Sequence, residues 1–327
     1  MSATPPAGMA SLKLARPARQ SPARKRLDRV GDLALFVTCA AAALLALLVI
    51  VLIAKEVIEG AQPAFDKFGL SFITHQEWAP PLDKFGGRGL IFGTLITSAM
   101  ALLIGAPVAI SIGVFLALLA PASVRNVISP LVEMLAAIPS VILGFWGVLI
   151  LGPVLVSTIE PFLHDTLGFI PLFGAPQTTG NSVFNAGLIL TIMVIPIIAS
   201  VTRDLFMAVP RELQDGAAAL GSTRWEVIRG VVLPTTISGM TAACLLGLGR
   251  ALGEAIAVAQ VIGGGTESHL SLFKTGGTMA SLIALQFNSA VSKLHTSSLY
   301  YLAALLLVIG VASNLLASWV GQRFGAA

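Results

Sequence analysis

Two charged residues, Arg250 and Glu254, stand four positions apart in a stretch that otherwise carries no charge from residue 236 to residue 262. If this stretch forms one helix, both side chains lie on the same face, about one turn apart. A guanidinium offers parallel N–H donors that fit the oxygen edge of an oxyanion better than any neutral group does. We therefore predict that the pair handles an oxyanion, with Glu254 restraining Arg250 while no anion is present. The alternative is a self-neutralising pair that only ties this helix to its neighbours.

The rest of the sequence lacks the residue patterns of common enzyme sites. Its four histidines are isolated, and no metal-binding spacing of His or Cys occurs. A nucleophile elbow of the type Gly-x-Ser-x-Gly is absent, and the dipeptide Gly-Lys of a phosphate-binding loop does not occur. We therefore predict no catalytic residue and no metal site, and we expect any ATP-driven work to use a nucleotide bound by another chain.

The composition indicates that the surroundings of Arg250 and Glu254 are a membrane. Of the 327 residues, 56% are hydrophobic and 11% are charged, whereas about 25% are charged in an ordinary soluble domain. So few charges cannot cover the surface of a soluble protein of this size, which excludes a soluble globule. A charge in the middle of a span costs about 2.5–3.5 kcal/mol on insertion scales, so both residues should face protein or water.

Six charge-poor runs are long enough to cross a bilayer, which needs about 20 apolar residues. The predicted spans are residues 33–54, 90–121, 134–157, 184–201, 236–262 and 299–320. The sequence thus predicts an all-α integral membrane protein with six transmembrane helices. A shorter apolar piece, residues 279–287, is predicted to be a helix that lies against the outer face.

The distribution of basic residues predicts the orientation of these spans. With the amino terminus inside, 13 Lys and Arg residues fall in inner segments and six in outer ones, and Arg250 lies in the membrane. Because basic residues collect on the cytoplasmic side, both termini are predicted to be cytoplasmic. We divide the chain into a disordered basic arm (1–30), a first transmembrane helix (31–60) and a transmembrane domain (61–327) that contains the other five spans and the inner loop at about 203–234. Nucleic-acid binding is not expected, because the basic excess comes from the arm beside the membrane.

The longest inner loop, residues 203–234, has the signals of a helix pair. Pro210 suits a helix start, Gly221 suits a C-terminal cap, and Ser222 or Thr223 suits the N-cap of a second helix that ends at Pro234. A helix pair on the inner face of a membrane protein is a shape that suits docking on a soluble partner.

This loop resembles the EAA loop of ABC importer permeases at identical spacing. The matching positions are Asp215, Gly216, Ala217, Gly221, Val231, Leu233 and Pro234. Four of these match strictly, whereas Asp215, Gly216 and Val231 are near substitutions. Glycine at position 216 costs a helix roughly 1 kcal/mol relative to alanine. The resemblance implies that these residues couple the permease to a separate ATPase.

The stretch from Gly249 to Val258 resembles one group within the ABC importer permeases. It reads Gly-Arg-Ala-Leu-Gly-Glu-Ala-Ile-Ala-Val and is similar to the Gly-Arg-Ala-x-Gly-Glu-Thr-Met-Ala-Val stretch of phosphate permeases of the PstC type. Segments around Gly93, Ala137 and Gly144 look like the same family. The resemblance covers about residues 65–320.

Membership of that family would imply the type I fold of ABC importer permeases in a bacterial cytoplasmic membrane. It would also imply four kinds of partner beside membrane lipid: a PstA-like second permease, a dimer of PstB-like ATPases, a PstS-like extracytoplasmic binding protein, and inorganic phosphate. ATP and Mg²⁺ would be bound by the ATPase, and this chain would bind no cofactor. Arg250 and Glu254 would lie on the phosphate path.

Other functions remain open on the residues alone. Arg250 does not separate phosphate from sulfate, molybdate or tungstate. A channel or an ion-driven carrier would need no ATPase, and a membrane scaffold would bind partners without transporting a solute.

Overall fold

The computed structural model describes residues 22–324. This part of the chain is helical apart from turns, loops and two isolated β-bridges. The disordered arm was predicted for residues 1–30, of which residues 1–21 lie outside the described residues. Helix α1 begins at Pro22, so the end of that segment is helical.

The described chain contains α-helices interrupted by short π and 3-10 stretches. The α-helices are α1 (Pro22–Phe68), α2 (Ser71–Thr74), α3 (Arg88–Val114), α4 (Ala122–Ala136), α5 (Ser140–Trp146), α6 (Gly152–Val154), α7 (Glu160–Leu167), α8 (Val183–Met207), α9 (Arg211–Ala219), α10 (Arg224–Val227), α11 (Leu233–Gly253), α12 (Ile256–Val261), α13 (Met279–Gln286) and α14 (Lys293–Phe324). The π stretches are Phe115–Leu119, Gly147–Leu151, Leu155–Ile159 and Ile228–Val232, and the 3-10 turns are Pro80–Leu82 and Phe287–Ser289.

Six helical segments of the described chain are long and apolar enough to cross a membrane, which confirms the predicted number of spans. They are Gly31–Phe68, Arg88–Leu119, Ser140–Leu167, Val183–Met207, Arg224–Gly253 and Lys293–Leu316. Each overlaps one of the predicted runs.

The third span begins later and ends later than predicted. The first residues of the predicted run belong to α4, and the span itself begins at Ser140, after Pro139. A proline disfavours helical backbone in the residue before it, which separates the two helices at this point. Glu160, three residues beyond the predicted end of this run, lies inside the span and is completely buried.

The chain divides into two compact units, Met1–Lys55 and Glu56–Ala327. In the first unit the described side chains are almost all exposed, and the hydroxyl of Thr38 donates to the carbonyls of Ala34 and Leu35 within its own helix.

Helix α8 is at the centre of the second unit. In its apolar window 72% of residues are buried, more than in any other span of the described chain. Its main neighbour is α3, and Gly105 allows the close approach, because a Cβ there would lie 2.8 Å from Cγ2 of Val194. The side chains of Ile189, Leu190 and Ile198 on α8 are buried in the hydrophobic core.

A second buried cluster joins α2, the start of α3, α13 and α14. Phe72, Leu90, Met279 and Leu299 are all completely buried in it. The predicted short helix is α13, and its first N–H, that of Met279, donates to the hydroxyl of Thr94 on α3 at 2.9 Å. This helix therefore packs into the protein and does not span the membrane.

Candidate functional site

A tight turn joins α9 to α10 and has the hydrogen bonds that end a helix with a glycine. The N–H of Gly221 donates to Ala218 (3.0 Å), and the N–H of Ser222 donates to Ala217 (3.2 Å). Gly221 has φ +91°, a conformation that costs glycine little and a residue with a side chain more. The predicted C-terminal cap at Gly221 is therefore confirmed.

Thr223 is the N-cap of α10 and forms a reciprocal pair with Glu226. The hydroxyl of Thr223 accepts from the N–H of Glu226 at 3.4 Å, and Oε2 of Glu226 accepts from the N–H of Thr223 at 2.7 Å. This arrangement satisfies two N–H groups that a helix start leaves without partners. Of the two cap residues that the sequence left open, Thr223 has this role.

The prediction that the second helix ends at Pro234 is wrong. Helix α10 passes through the π stretch Ile228–Val232 into α11, so one helical segment runs from Arg224 to Gly253. Proline has no N–H and crowds the preceding turn of an α-helix. Pro234 is the second residue of α11 and follows the π stretch after Leu233. The wider turn of a π stretch lets the helix continue past a proline.

The residues of the EAA-like pattern occupy both helices of this pair and the turn between them. Asp215, Gly216 and Gly221 are exposed, Ala217, Val231 and Leu233 are half-buried, and Pro234 is exposed. The pattern thus runs from α9 through the turn to the start of α11.

Large apolar side chains are exposed around the turn. Leu220 is 89% exposed and Trp225 is 63% exposed. A cavity of about 330 Å³ lies beside them and is lined by Leu119 at the end of the second span, by Asp215 and by Arg224, among others. Exposed apolar groups next to charged ones on a concave surface are typical of a docking site for another protein.

We expect Gly216→Ala to stabilise α9. A Cβ at this helical position would meet no atom within 4 Å, and alanine in a helix interior is favoured over glycine by about 0.5–1 kcal/mol. Hydrogen exchange of the α9 amides should therefore slow by about two- to fivefold. Unchanged or faster exchange would show that this helix is held by something other than its own backbone propensity. Gly230→Ala, also at a site with no atom within 4 Å, is the control and should leave α9 unaffected.

Arg250 lies in the last turn of α11 and is exposed. The part of the chain that the structure describes gives its guanidinium no hydrogen bond and no ion pair. A charged group at this depth of a span is too costly to face hydrocarbon. Its exposure therefore marks a face that is covered by another protein or by water in the assembled protein.

Glu254 does not share a helix with Arg250, contrary to the prediction. Helix α11 ends at Gly253, and Glu254 has an extended conformation (φ −71°, ψ 119°). Its carboxylate accepts from the N–H of Ala257 at 3.2 Å, at the start of α12. The carboxylate thus accepts from one of the N–H groups that the start of α12 leaves without a backbone partner. Inside a membrane water does not reach such groups, so a side-chain acceptor is needed. Within the described residues Arg250 and Glu254 form no ion pair, which argues against a self-neutralising pair.

The small residues of α11 do not form one face. Gly247 packs against α8, where a Cβ would lie 2.7 Å from Cδ1 of Ile198. A Cβ built at Gly249 or at Gly253 would have no described atom within 4 Å. Leu246 and Arg250 are exposed, and their spacing puts them on the same helix face as these two glycines. The open face of α11 is the set Leu246, Gly249, Arg250 and Gly253.

Two arginines near the α9 end of the spans have roles that the sequence did not reveal. Arg203 donates to Glu133 at 2.8 Å and to Asp204 at 2.7 Å, which links α8 to α4. Arg125 donates to the carbonyls of Leu116 and Ala117 at 2.7 and 2.8 Å, where the second span ends. Glu133, on a helix outside the six spans, therefore has its ion-pair partner on the fourth span.

Glu160 is the buried charge that sequence inspection missed. Its Oε1 accepts from the hydroxyl of Ser182 at 3.4 Å, and its Oε2 is buried with no hydrogen-bond partner. Asn185 donates to the carbonyls of Gly147 and Gly180 in the same region. The neighbouring sequence gave no signal of this burial, because His164 and Asp165 follow Glu160 closely.

Comparison with known proteins gives a consistent family. The profile described as "Binding-protein-dependent transport system inner membrane component" matches residues 109–326. A Mesorhizobium japonicum protein named phosphate transport system permease protein PstC is 40% identical over 307 residues, which are 92% of this chain and 94% of the relative. The Haemophilus influenzae protein of the same name is 44% identical over 273 residues, covering 82% and 86% of the two chains.

A solved structure supports the fold. It is a bacterial alginate ABC transporter in complex with an alginate pentasaccharide-bound periplasmic protein, and one of its chains superposes with a TM-score of 0.58 at 16% identity. The match covers 90% of this chain and 97% of the other. The described chain therefore has the fold of an ABC importer permease.

Proposed function

Because this chain belongs to the family of binding-protein-dependent transport system inner membrane components, we propose that it is the permease subunit of an ATP-driven importer of inorganic phosphate. The names of its relatives support phosphate as the substrate. The observation that carries a transport role is Arg250, an exposed and unpaired guanidinium at the end of a membrane-spanning helix.

Arg250 would bind phosphate as it crosses. A guanidinium donates two parallel N–H groups to two oxygens of one phosphate, and the bond is strongest where water is scarce. Glu254 is four residues away in sequence and carries the opposite charge, so it weakens the net attraction and allows the anion to leave. Its bond to the N–H of Ala257 holds that carboxylate in place.

The open face of α11 would meet a second permease subunit of the PstA type. Among the described residues no atom lies within 4 Å of a Cβ built at Gly249 or Gly253, and small residues allow another helix to approach closely. The phosphate path would then lie between the two permeases, with Arg250 at its wall. This placement satisfies the requirement that the charge avoids hydrocarbon.

The turn between α9 and α10 would dock on an ATPase dimer of the PstB type. That turn presents Leu220 and Trp225 to a partner, and ATP and Mg²⁺ would be bound by the ATPase and not by this chain. Closure of the dimer would move the spans as rigid bodies between inward-open and outward-open states.

The basic residues support an orientation with both termini in the cytoplasm and the docking turn on the same side. With that orientation 13 of the 20 Lys and Arg residues are cytoplasmic and six are not, leaving Arg250 in the membrane. The loops that join the spans on the opposite side would then face a PstS-like binding protein that delivers phosphate.

Uptake of labelled phosphate by cells with and without this chain tests the proposal. We expect uptake only with the chain, and only while the cells can make ATP. Excess unlabelled sulfate, molybdate or tungstate should leave it unchanged, whereas suppression by one of them would assign the permease to that oxyanion. Uptake that continues after ATP depletion would contradict an ATP-driven importer and would favour a channel or an ion-driven carrier. Binding of the partner proteins without any uptake would indicate a scaffold.

A further inference from the structure

A cavity of about 420 Å³ opens where α3 begins, at the end of the second span. One wall is the α3 face made of Arg88, Ile91, Phe92 and Leu95, which recur at helical spacing. The other walls are Ile73 and the loop segment Ser268, His269 and Leu270. We call it the α3 cavity. Its lining includes neither Arg250 nor any residue of the EAA-like turn.

The walls of the α3 cavity are fixed by backbone contacts. The N–H of Arg88 donates to the carbonyl of His75 at 3.1 Å, which anchors the first turn of α3. Gly89 lies directly against the loop, since a Cβ at this position would collide with the backbone oxygen of Thr266. The shape of the cavity therefore follows from the fold and does not depend on one side-chain rotamer.

The polar end of the α3 cavity is positively charged. Arg88 is exposed, and the described part of the chain offers its guanidinium neither a hydrogen bond nor an ion pair. Glu267 in the loop is not among the lining residues, and its carboxylate lies 3.4 Å from Nε2 of His269. The hydroxyl of Ser268 adds a donor. Such a set of donors with one uncompensated positive charge fits a phosphate group.

The remaining lining is apolar and continues along the span. Leu95 is 47% exposed, Leu270 is 66% exposed, and Ile91 and Phe92 are half-buried between them and the polar end. A free phosphate ion is hydrated on all sides and would gain nothing from this surface. A molecule with a phosphate head and a hydrocarbon tail would use both ends.

We propose that the α3 cavity binds one anionic phospholipid. Its phosphate accepts hydrogen bonds from Arg88 and Ser268, and an acyl chain lies along Ile91, Phe92 and Leu95. The position agrees with this occupant, because α3 enters the membrane at Arg88 and headgroups are found at that depth. The bound lipid would hold the segment Ser268–Leu270 against the start of the second span.

Lipid retention by the full chain tests this site. The protein is reconstituted in phosphatidylcholine vesicles with and without phosphatidylglycerol, extracted in mild detergent, and weighed intact by native mass spectrometry. We expect one phosphatidylglycerol to remain bound in preference to phosphatidylcholine. Arg88→Gln should weaken this retention at least about tenfold, the factor expected for loss of a charged hydrogen bond. Lys293→Gln is the matched control and should retain lipid normally, because it removes an exposed positive charge at the corresponding end of α14.

Equal retention by Arg88→Gln and the unaltered chain would overturn the proposal, as would equal losses in Arg88→Gln and Lys293→Gln. Displacement of the lipid by inorganic phosphate would show that the site takes the free ion instead. A second measurement needs no variant: phosphatidylglycerol with a photoreactive headgroup is irradiated in the membrane and the labelled peptides are identified. We expect the label at Arg88 or at Ser268–Leu270, and label confined to other segments would reject the site.

Discussion

Arg250→Ala is expected to reduce phosphate uptake by about two orders of magnitude while the protein still inserts and assembles. Two charged hydrogen bonds to one phosphate contribute about 3 kcal/mol, and each 1.4 kcal/mol is a factor of about ten. Folding should be little affected, because Arg250 is exposed and the described chain gives its side chain no hydrogen bond or ion pair. The measurement is the initial rate of labelled phosphate uptake, normalised to the amount of chain in the membrane.

Two further variants separate the role of the guanidinium from that of charge alone. Arg250→Lys keeps the charge and loses the paired donors, so its uptake should lie between those of the unaltered chain and of Arg250→Ala. Lys293→Ala removes a positive charge at the end of another span and should transport normally. If Arg250→Ala is assembled normally and its uptake remains intact, Arg250 is not on the phosphate path.

Gly221→Val is expected to uncouple ATP hydrolysis from uptake. Position 221 has φ +91°, where a residue with a side chain is less stable by roughly 1–2 kcal/mol, and a β-branched one by more. The turn between α9 and α10 should therefore change shape, although α3, α8 and α11 retain their packing. In reconstituted vesicles we expect uptake to fall by at least about tenfold, since 1.4 kcal/mol corresponds to that factor. ATP hydrolysis should lose its stimulation by the loaded binding protein.

The neighbouring sequence offers controls for this effect. Gly230→Val introduces the same side chain in the same segment, at a site where a Cβ has no atom within 4 Å and φ is not positive, and it should remain coupled. Gly221→Asn should also remain largely coupled, because asparagine tolerates left-handed backbone better than other residues with side chains do. Normal coupling in Gly221→Val would mean that the ATPase contact lies elsewhere.

Local chemistry decided which features could be predicted from the sequence. The spans were predictable because an apolar run of about 20 residues without charge seldom forms anything other than a membrane-spanning helix. The turn at Gly221 was predictable because a glycine, a hydroxyl residue and an acidic residue three positions later signal a helix end and a helix start. In both cases neighbouring residues determine the structure.

The features that were missed depend on contacts between distant segments. Glu160 is buried because Ser182 and the start of α8 lie over it, which its neighbours in sequence do not indicate. The break after Gly253 interrupts a run whose periodicity continues through it, and only the bond from Ala257 to Glu254 shows where the helix stops. The rule that a proline ends a helix failed at Pro234, because the π stretch Ile228–Val232 just before it accommodates the proline in a continuous helix.

The uninterrupted helix from Arg224 to Gly253 has a mechanical consequence. Its 30 residues extend for about 45 Å, at 1.5 Å per residue. The two departures from regular α-helix lie near its ends: the π stretch Ile228–Val232 beside the docking turn, and the break that follows Gly253. Between them α11 is a continuous α-helix from Leu233 to Gly253, so we expect it to move as a rigid body. If docking on the proposed ATPase displaces the start of α11, this continuous helix would carry the displacement as a rigid body to Arg250 in its last turn.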